Sequence, residues 1–257
     1  MPRFAANLSM LFTELPLEQR VAAAAAAGFT ALEIQFPYAL PAQVLARQLT
    51  RYQLPLVLHN LPAGDWAAGE RGIACLPERQ AEFRAGVQQA IEYALALGTP
   101  RLNCLAGVCP SNLSQSAAQA CLRENLDYAA HQLLPYGLTL MLEAINTFDV
   151  PGFFICHSQQ VFDLIDQCAL PNLLMQYDIY HMHRMGEPVA ATLAGQLAKI
   201  GHIQIADAPG RNEPGTGVIP FPDLFALLDQ QGYKAWIGCE YQPRNTTLAG
   251  LAWMDQV

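Results

Sequence analysis

The chain has 257 residues, of which 52% are hydrophobic and 14% charged, and its formal net charge is −8. No apolar run approaches the ~20 residues that a bilayer span needs, and an acidic chain offers no electrostatic footprint for nucleic acid or an anionic membrane. Seven cysteines without a CxxC pair are typical of neither a disulfide framework nor a zinc ribbon. The first residues lack the pattern of a signal peptide, so we expect a cytoplasmic protein.

Short apolar runs alternate with longer helical segments from one end of the chain to the other. The runs are near-continuously apolar, as expected for parallel strands buried on both faces, and they cover residues 4–8, 31–36, 55–59, 101–105, 139–144, 173–178, 202–206 and 235–240. The helical segments cover residues 16–27, 42–53, 78–97, 114–134, 158–167, 188–199, 221–231 and 247–255. Eight βα units joined by right-handed crossovers predict an α/β protein with a single (β/α)8 barrel over residues 1–257.

A doubly wound open sheet is the alternative architecture. It is disfavoured because no glycine-rich dinucleotide fingerprint follows the first strand. The longest predicted loop, residues 60–77, follows the third strand and carries Glu70 and Arg71. A loop of this length is uncommon unless it is functional, so we interpret it as a lid or a substrate clamp.

Polar side chains lie at or near the carboxyl ends of the last four predicted strands. Glu143, Asp178, Gln204 and Glu240 are each about one βα unit apart, and active sites of these barrels lie at the carboxyl ends of the strands. A single carboxylate at such a position is more often a helix cap. Three carboxylates at one barrel mouth repel each other unless a cation lies between them. Since carboxylate and amide oxygens select hard ions, the pattern predicts a site for a divalent metal, Mg²⁺ or Mn²⁺.

Several other polar residues are placed to meet a substrate at this mouth. His59 ends the third strand and His181 follows Asp178 by three residues, so both are predicted to face the site. Arg211, in the glycine- and proline-rich loop after the seventh strand, is the candidate cation for an anionic substrate. Asn7 and Glu70 are the remaining substrate-binding candidates. For each of these residues the alternative is a purely structural role, in a loop or as a helix cap.

Two further polar residues lie inside predicted strands. Glu33 is within the second strand, where a buried carboxylate needs a partner that the sequence does not identify. His202 precedes Gln204 by two residues and is therefore expected on the same face, one layer deeper.

Six segments resemble the hydroxypyruvate isomerase family of the xylose-isomerase-like barrels. They are RFAANLSMLF (3–12), HNLPAGDWAAGERGIAC (59–75), EAINTFDVPGF (143–153), QYDIYHMHRM (176–185), GHIQIADAPGRNEPGTG (201–217) and GCEYQPR (238–244), and they span nearly the whole chain. The resemblance implies an aldose–ketose isomerase that interconverts hydroxypyruvate and tartronate semialdehyde. It also implies Glu143 and Glu240 as proton donor and acceptor, and a metal held by these two with Asp178 and Gln204.

Other functions stay open at this point. The 2-oxo-tetronate isomerases share the opening RFAANLSM and the closing GCEY-type motif, so the resemblance leaves a three- or four-carbon substrate open. Ketose 3-epimerases are similar but have histidine at the position of Gln204, which disfavours them. An abasic-site nuclease on the same barrel is disfavoured by the few suitably placed histidines and the net charge of −8. A non-catalytic binder of sugar acids is disfavoured by the two intact glutamates. The partner is expected to be a small 2-oxo or hydroxy acid, and a homo-oligomer stays open.

Overall fold

The structure, a computed structural model, describes residues 2–256 and forms a closed barrel of eight parallel strands in chain order. The strands are β1 (Arg3–Asn7), β2 (Leu32–Ile34), β3 (Leu56–Asn60), β4 (Arg101–Cys104), β5 (Thr139–Glu143), β6 (Leu173–Asp178), β7 (Ile200–Ile205) and β8 (Trp236–Cys239). The prediction of a (β/α)8 barrel is confirmed. Each predicted strand is present, with ends that differ by a few residues.

In the described part of the chain, eight α-helices surround the barrel. They are α1 (Leu17–Ala26), α2 (Ala42–Tyr52), α3 (Gln80–Leu97), α4 (Gln115–Leu133), α5 (Ser158–Cys168), α6 (Ile179–Arg184), α7 (Val189–Gln196) and α8 (Phe221–Gln230). The expected eighth crossover helix near the C-terminus is instead a 3₁₀ helix, Leu248–Gln256. The short helix α6 was not predicted, and it matters for the site. Within residues 2–256, no helix is long and apolar enough to cross a bilayer.

The two faces of the barrel strands differ in chemistry. Outward-facing residues pack against the helices in a large apolar core. Inside the barrel, a small apolar cluster includes Ala5, Ala31, Leu58 and Met141. Because side chains alternate along a strand, the residues two positions further on share the same face, and these are all polar: Asn7, Glu33, Asn60 and Glu143. The interior is therefore apolar towards the start of the strands and polar towards their carboxyl ends.

Local capping fixes the turn that follows β6. Asp178 ends β6 and is the N-cap of α6, where its Oδ1 accepts a hydrogen bond from the main-chain N–H of Tyr180 at 2.8 Å. A side-chain oxygen at this position satisfies a helix N–H that has no partner within the helix. Because α6 begins directly at the barrel mouth, His181 in its first turn lies next to the carboxyl ends of the strands.

Candidate metal and catalytic site

Four buried side chains meet at the carboxyl end of the barrel. Glu143 ends β5, Asp178 ends β6, Glu240 follows β8 and His181 lies on α6. One potential ligand atom from each residue lies within 4.8 Å of the others. Gln204 on β7 is opposite Asp178 in the strand register and is also buried. The strand ends that were singled out in the sequence therefore converge on one mouth.

The donor set fits a hard divalent cation. Oδ2 of Asp178 is buried and has no hydrogen-bond partner among residues 2–256, while Oδ1 caps α6. Three carboxyl groups meet one guanidinium, that of Arg211, whose Nη2 is 2.8 Å from Glu240 Oε2 and 3.6 Å from Asp178 Oδ2. Oxygen ligands with an excess of negative charge are those that Mg²⁺ and Mn²⁺ prefer.

Burial and mutual repulsion shift the pKa values of these three carboxyl groups. Burial, followed by the charges of Glu240 and Asp178, raises the pKa of Glu143 well above its usual range. Burial raises the pKa of Asp178 to about 7, against the opposing effect of Arg211. Burial also raises the pKa of Glu240, again opposed by Arg211. A bound cation would remove this penalty by favouring the ionised carboxylates.

The two glutamates differ in their hydrogen bonds. Glu240 accepts from Arg211 at Oε2, and its Oε1 accepts from Gln35 Nε2 at 2.7 Å and from Asn7 Nδ2 at 3.1 Å. Glu143 accepts from Asn103 Nδ2 at 2.7 Å. Glu240 is therefore held by three donors in the described part of the chain and Glu143 by one. This asymmetry leaves Glu143 less constrained than Glu240.

Beneath the cluster lies the carboxylate of Glu33, whose partner could not be identified from the sequence. Its Oε1 accepts from Asn7 Nδ2 and from Gln204 Nε2, both at 2.8 Å, and its Oε2 is 2.6 Å from Nε2 of His202. Gly238 on β8 leaves the space that this carboxylate occupies, since a Cβ there would be 2.2 Å from Glu33 Oε2. Glu33 thus links Asn7, which also contacts Glu240, to Gln204.

Three of the five predicted substrate-binding residues lie at this mouth. Asn7 donates to both Glu33 and Glu240. Nε2 of His181 is 3.5 Å from Asp178 Oδ2. Arg211 contacts Glu240, and its buried Nε has no hydrogen-bond partner among the described residues. The placement of these three agrees with the sequence-based expectation, while their contact with substrate stays a prediction.

The expectation that His59 faces the mouth is wrong. On β3 its neighbour Asn60 points inward, where it accepts from Asn103, so alternation turns His59 outward. The ring is buried beside Tyr38, with the two ring centres 6.0 Å apart, and burial lowers the pKa of His59 to about 3. His59 therefore belongs to the layer between barrel and helices.

Glu70 is not joined to the cluster by any hydrogen bond or ion pair among residues 2–256. It pairs instead with Arg79 at 2.7 Å and accepts from the main-chain N–H of Asp65 within its own loop. These bonds lower the pKa of Glu70, with the Arg79 hydrogen bond contributing most. Glu70 thus fastens the long loop to the start of α3, which does not support its predicted contact with substrate.

Sequence reasoning missed other polar residues of the barrel interior: Gln35, Asn103 and Gln176. Gln176 precedes Asp178 by two residues and donates from Nε2 to Gln204 Oε1 at 2.7 Å. The signal that could have found these residues is the period of two, because each shares a strand face with a site residue or lies opposite one in the barrel.

Comparison with known proteins identifies the family. The profile described as "Xylose isomerase-like TIM barrel" matches residues 21–257. The hydroxypyruvate isomerase of Escherichia coli K12 is 50% identical over 99% of both chains. The 2-oxo-tetronate isomerase of Cupriavidus necator H16 is 44% identical over 99% of this chain and 98% of that one.

Solved structures agree on the fold. A crystal structure of a protein named "AP endonuclease, family 2" from Brucella melitensis is 42% identical, with a TM-score of 0.97 over 100% of this chain and 99% of that chain. A 3-keto-D-glucoside 4-epimerase from E. coli superposes with a TM-score of 0.84 at 18% identity over 100% of both chains, which shows the fold alone. The chain therefore belongs to the xylose isomerase-like TIM barrel family and is an isomerase enzyme.

Proposed function

We propose that the protein interconverts hydroxypyruvate and tartronate semialdehyde (2-hydroxy-3-oxopropanoate) by proton transfer between two adjacent carbons. The observation that carries this proposal is the buried cluster in which Glu143 and Glu240 meet beside Asp178. Two glutamates facing one small site are suited to remove and return a carbon-bound proton. The 50% identity to a hydroxypyruvate isomerase supports the choice of substrate.

A divalent cation, Mg²⁺ or Mn²⁺, would be held by Glu143, Asp178, Gln204 and Glu240. When bound, it supplies Lewis-acid polarisation of the substrate's carbonyl and hydroxyl oxygens. The unpartnered Oδ2 of Asp178 and the excess of carboxyl groups support this ligand set. Gln204 contributes a neutral amide whose orientation is held by Glu33 and Gln176 on either side.

The reaction needs three proton movements that balance. One glutamate removes a proton from C3 of hydroxypyruvate, which gives an enediol with a double bond between C2 and C3. The other glutamate, protonated at the start of the cycle, returns a proton to C2, and a hydroxyl proton passes from O3 to O2. Proton exchange with solvent then restores the starting protonation of both glutamates. Neither oxidant nor reductant is consumed. Positioned acid–base groups of this kind contribute about 10²- to 10⁴-fold each to the rate.

Arg211 is the group that we assign to the substrate carboxylate. Its Nη2 is engaged with Glu240, whereas its buried Nε has no partner in the described chain and can donate to an anion. A guanidinium offers several donors in a planar fork, so it can bind Glu240 and the substrate together. Arg211 is largely buried at the mouth, with 24% of its side chain exposed, so the lower local dielectric strengthens its attraction for an anion.

Two other activities fit parts of these observations less well. The 42% identical protein from Brucella melitensis is named an AP endonuclease, yet the described cluster contains one histidine and the chain has a net charge of −8. A nuclease needs a basic surface for DNA. A 2-oxo-tetronate isomerase is the nearer alternative, because it requires the same proton chemistry and differs in the length of the substrate.

Proton NMR in D₂O tests all three activities in one format. The metal-free protein is reconstituted with Mg²⁺ and incubated with hydroxypyruvate, with a four-carbon 2-oxo-tetronate, and with an abasic-site DNA duplex. We expect metal-dependent conversion of hydroxypyruvate with deuterium entering the product, and no DNA cleavage. A kcat/KM that is higher for the four-carbon acid would replace the proposed substrate, while cleavage of the duplex without isomerisation would refute the proposal altogether.

A further inference from the structure

His181 faces the acid cluster through one ring nitrogen only. Its Nε2 is 3.5 Å from Asp178 Oδ2 and 4.0 Å from Glu143 Oε1. A neutral imidazole carries one N–H, so this nitrogen is either a bare lone pair that binds a metal or a hydrogen-bond donor. Which of the two it is depends on the partner of the opposite nitrogen, Nδ1. That partner is Asn146, which lies three residues after Glu143.

The side-chain amide of Asn146 has a fixed orientation. Its Oδ1 accepts from the main-chain N–H groups of Phe148 and Asp149, at 3.0 and 2.8 Å. Its Nδ2 lies 3.1 Å from the carboxylate Oδ2 of Asp149 and donates to it. A flipped amide would face two N–H groups with its own NH₂ and a carboxylate with its oxygen. The surrounding hydrogen bonds therefore settle which atom is nitrogen.

Two donors of Asn146 converge on the histidine ring. Nδ2 lies 2.6 Å from His181 Nδ1, and the main-chain N–H of Asn146 points at the same atom from 3.5 Å. A proton on Nδ1 would point at the hydrogens of both donors. The doubly protonated ring also carries a proton on Nδ1, so it is excluded for the same reason. Nδ1 is therefore the acceptor, and the single proton of the ring lies on Nε2.

One contact opposes this assignment and is weaker. Nη2 of Arg211 is 3.4 Å from Nε2 of His181, an arrangement in which Nε2 would accept. The same Nη2 donates to Glu240 Oε2 at 2.8 Å, so Arg211 has a better acceptor. Nδ2 of Asn146 carries two hydrogens, so it donates to Asp149 Oδ2 and to His181 Nδ1 together, and the contacts of Oδ1 fix its orientation. The shorter, fixed contact decides the tautomer.

We infer that Asn146 is a positioning residue that holds His181 as the Nε2–H tautomer, so that His181 donates a hydrogen bond to a substrate oxygen and is not a metal ligand. A histidine that binds a metal normally donates from its other ring nitrogen to a carboxylate or carbonyl. Here that nitrogen accepts instead. The catalytic part of this inference rests on the proposed function, whereas the tautomer and the exclusion of His181 from the metal do not.

Nitrogen-15 NMR of the histidine rings tests the tautomer directly, without metal or substrate. The full-length protein is labelled at histidine, and the ring signals of His181 are identified by their loss in His181→Gln. We expect a protonated Nε2 and an unprotonated Nδ1 in the wild type. In Asn146→Asp, a carboxylate replaces the donor and the proton moves to Nδ1. A wild-type ring that is already protonated at Nδ1 would overturn the inference.

Two substitutions separate a donor from a structural role. The amide nitrogen of glutamine reaches the position of Nε2, and that of asparagine reaches the position of Nδ1. His181→Asn should therefore lower kcat by about 10²- to 10³-fold, the usual cost of removing one donor to a developing oxyanion. His181→Gln keeps a donor at the position of Nε2, so its kcat should be clearly higher than that of His181→Asn. The matched control is His183→Gln on the same helix, which is partly exposed and should leave kcat unchanged. Equal losses in both His181 variants would refute the donor role.

Titration with Mn²⁺ keeps the inference separate from the proposed function. We expect His181→Gln to bind Mn²⁺ as the wild type does, and Asp178→Asn to lose affinity. Loss of Mn²⁺ binding in His181→Gln, in protein whose circular dichroism is native, would make His181 a ligand and overturn the inference. If no substrate is turned over, the NMR and Mn²⁺ results still decide the tautomer and the ligand set.

Discussion

Replacement of Gly238 by alanine tests how tightly the polar interior of the barrel is packed. Gly238 lies on β8, two residues before Glu240, and its Cα faces the carboxylate of Glu33. An added Cβ would be 2.2 Å from Glu33 Oε2 and 2.4 Å from its Cδ. Atoms this close overlap, so either the carboxylate or the strand has to move.

Both movements are costly. Rotation of Glu33 breaks its contacts with Asn7, Gln204 and His202, and each hydrogen bond to a charged group contributes about 1.5–3 kcal/mol. Displacement of β8 overpacks the barrel, which usually costs about 1–3 kcal/mol. Displacement of β8 costs less than the loss of all three contacts of Glu33, so it determines the outcome. We therefore expect Gly238→Ala to lower the free energy of unfolding by about 1–3 kcal/mol. For a domain of this size, that corresponds to a melting temperature lower by about 2–12 °C.

The assay is thermal unfolding of the metal-free protein, with circular dichroism as the signal. Gly195→Ala is the matched control. Gly195 lies in α7, and beyond its chain neighbours and the helix backbone no atom of the described residues comes within 4 Å of a Cβ there. Because alanine is the better helix former, Gly195→Ala should be neutral or stabilising by up to about 1 kcal/mol. The same substitution is thus expected to destabilise the protein at position 238 and not at position 195.

An unchanged melting temperature in Gly238→Ala would refute the view that Glu33 fills this space rigidly. A double-mutant cycle makes the test specific, since Glu33→Ala removes the group with which the new methyl collides. In that background, Gly238→Ala should cost much less than in the wild type, which gives a coupling energy between the two positions. Additive effects would locate the strain elsewhere in β8.

Further predictions concern the cluster itself. Glu143→Gln and Glu240→Gln should each lower turnover by about 10²-fold or more while the circular dichroism stays native. Wild-type turnover in either variant would contradict the two-glutamate assignment. The pKa of Asp178, raised to about 7, lies above its unfolded value of about 4, so its stabilising contribution is complete below the unfolded value and is lost as pH rises through about 7. The melting temperature of the metal-free protein should therefore fall as the pH rises from about 4 to about 7. Mn²⁺ binds ionised ligands, so its addition should raise the melting temperature again. Arg211→Met should raise KM for hydroxypyruvate in steady-state kinetics, and an unchanged KM would remove Arg211 from carboxylate binding.

The sequence by itself determined the barrel and the strands that build its site. Near-continuous apolar runs alternate with helical segments because parallel strands are buried on both faces, and that pattern is local. Glu143, Asp178, Gln204 and Glu240 could be placed at one mouth because the carboxyl ends of all barrel strands point the same way.

Tertiary structure alone decided which polar groups are partners. Glu33 and His202 are 169 residues apart along the chain and 2.6 Å apart in space, and no local pattern encodes such a pair. The outward turn of His59 followed from where β3 ends, since a shift of one residue moves a side chain to the opposite face. The tautomer of His181 depends on Asn146, 35 residues earlier. Such contacts arise only when the barrel closes, because closure brings side chains from separate strands within hydrogen-bond distance.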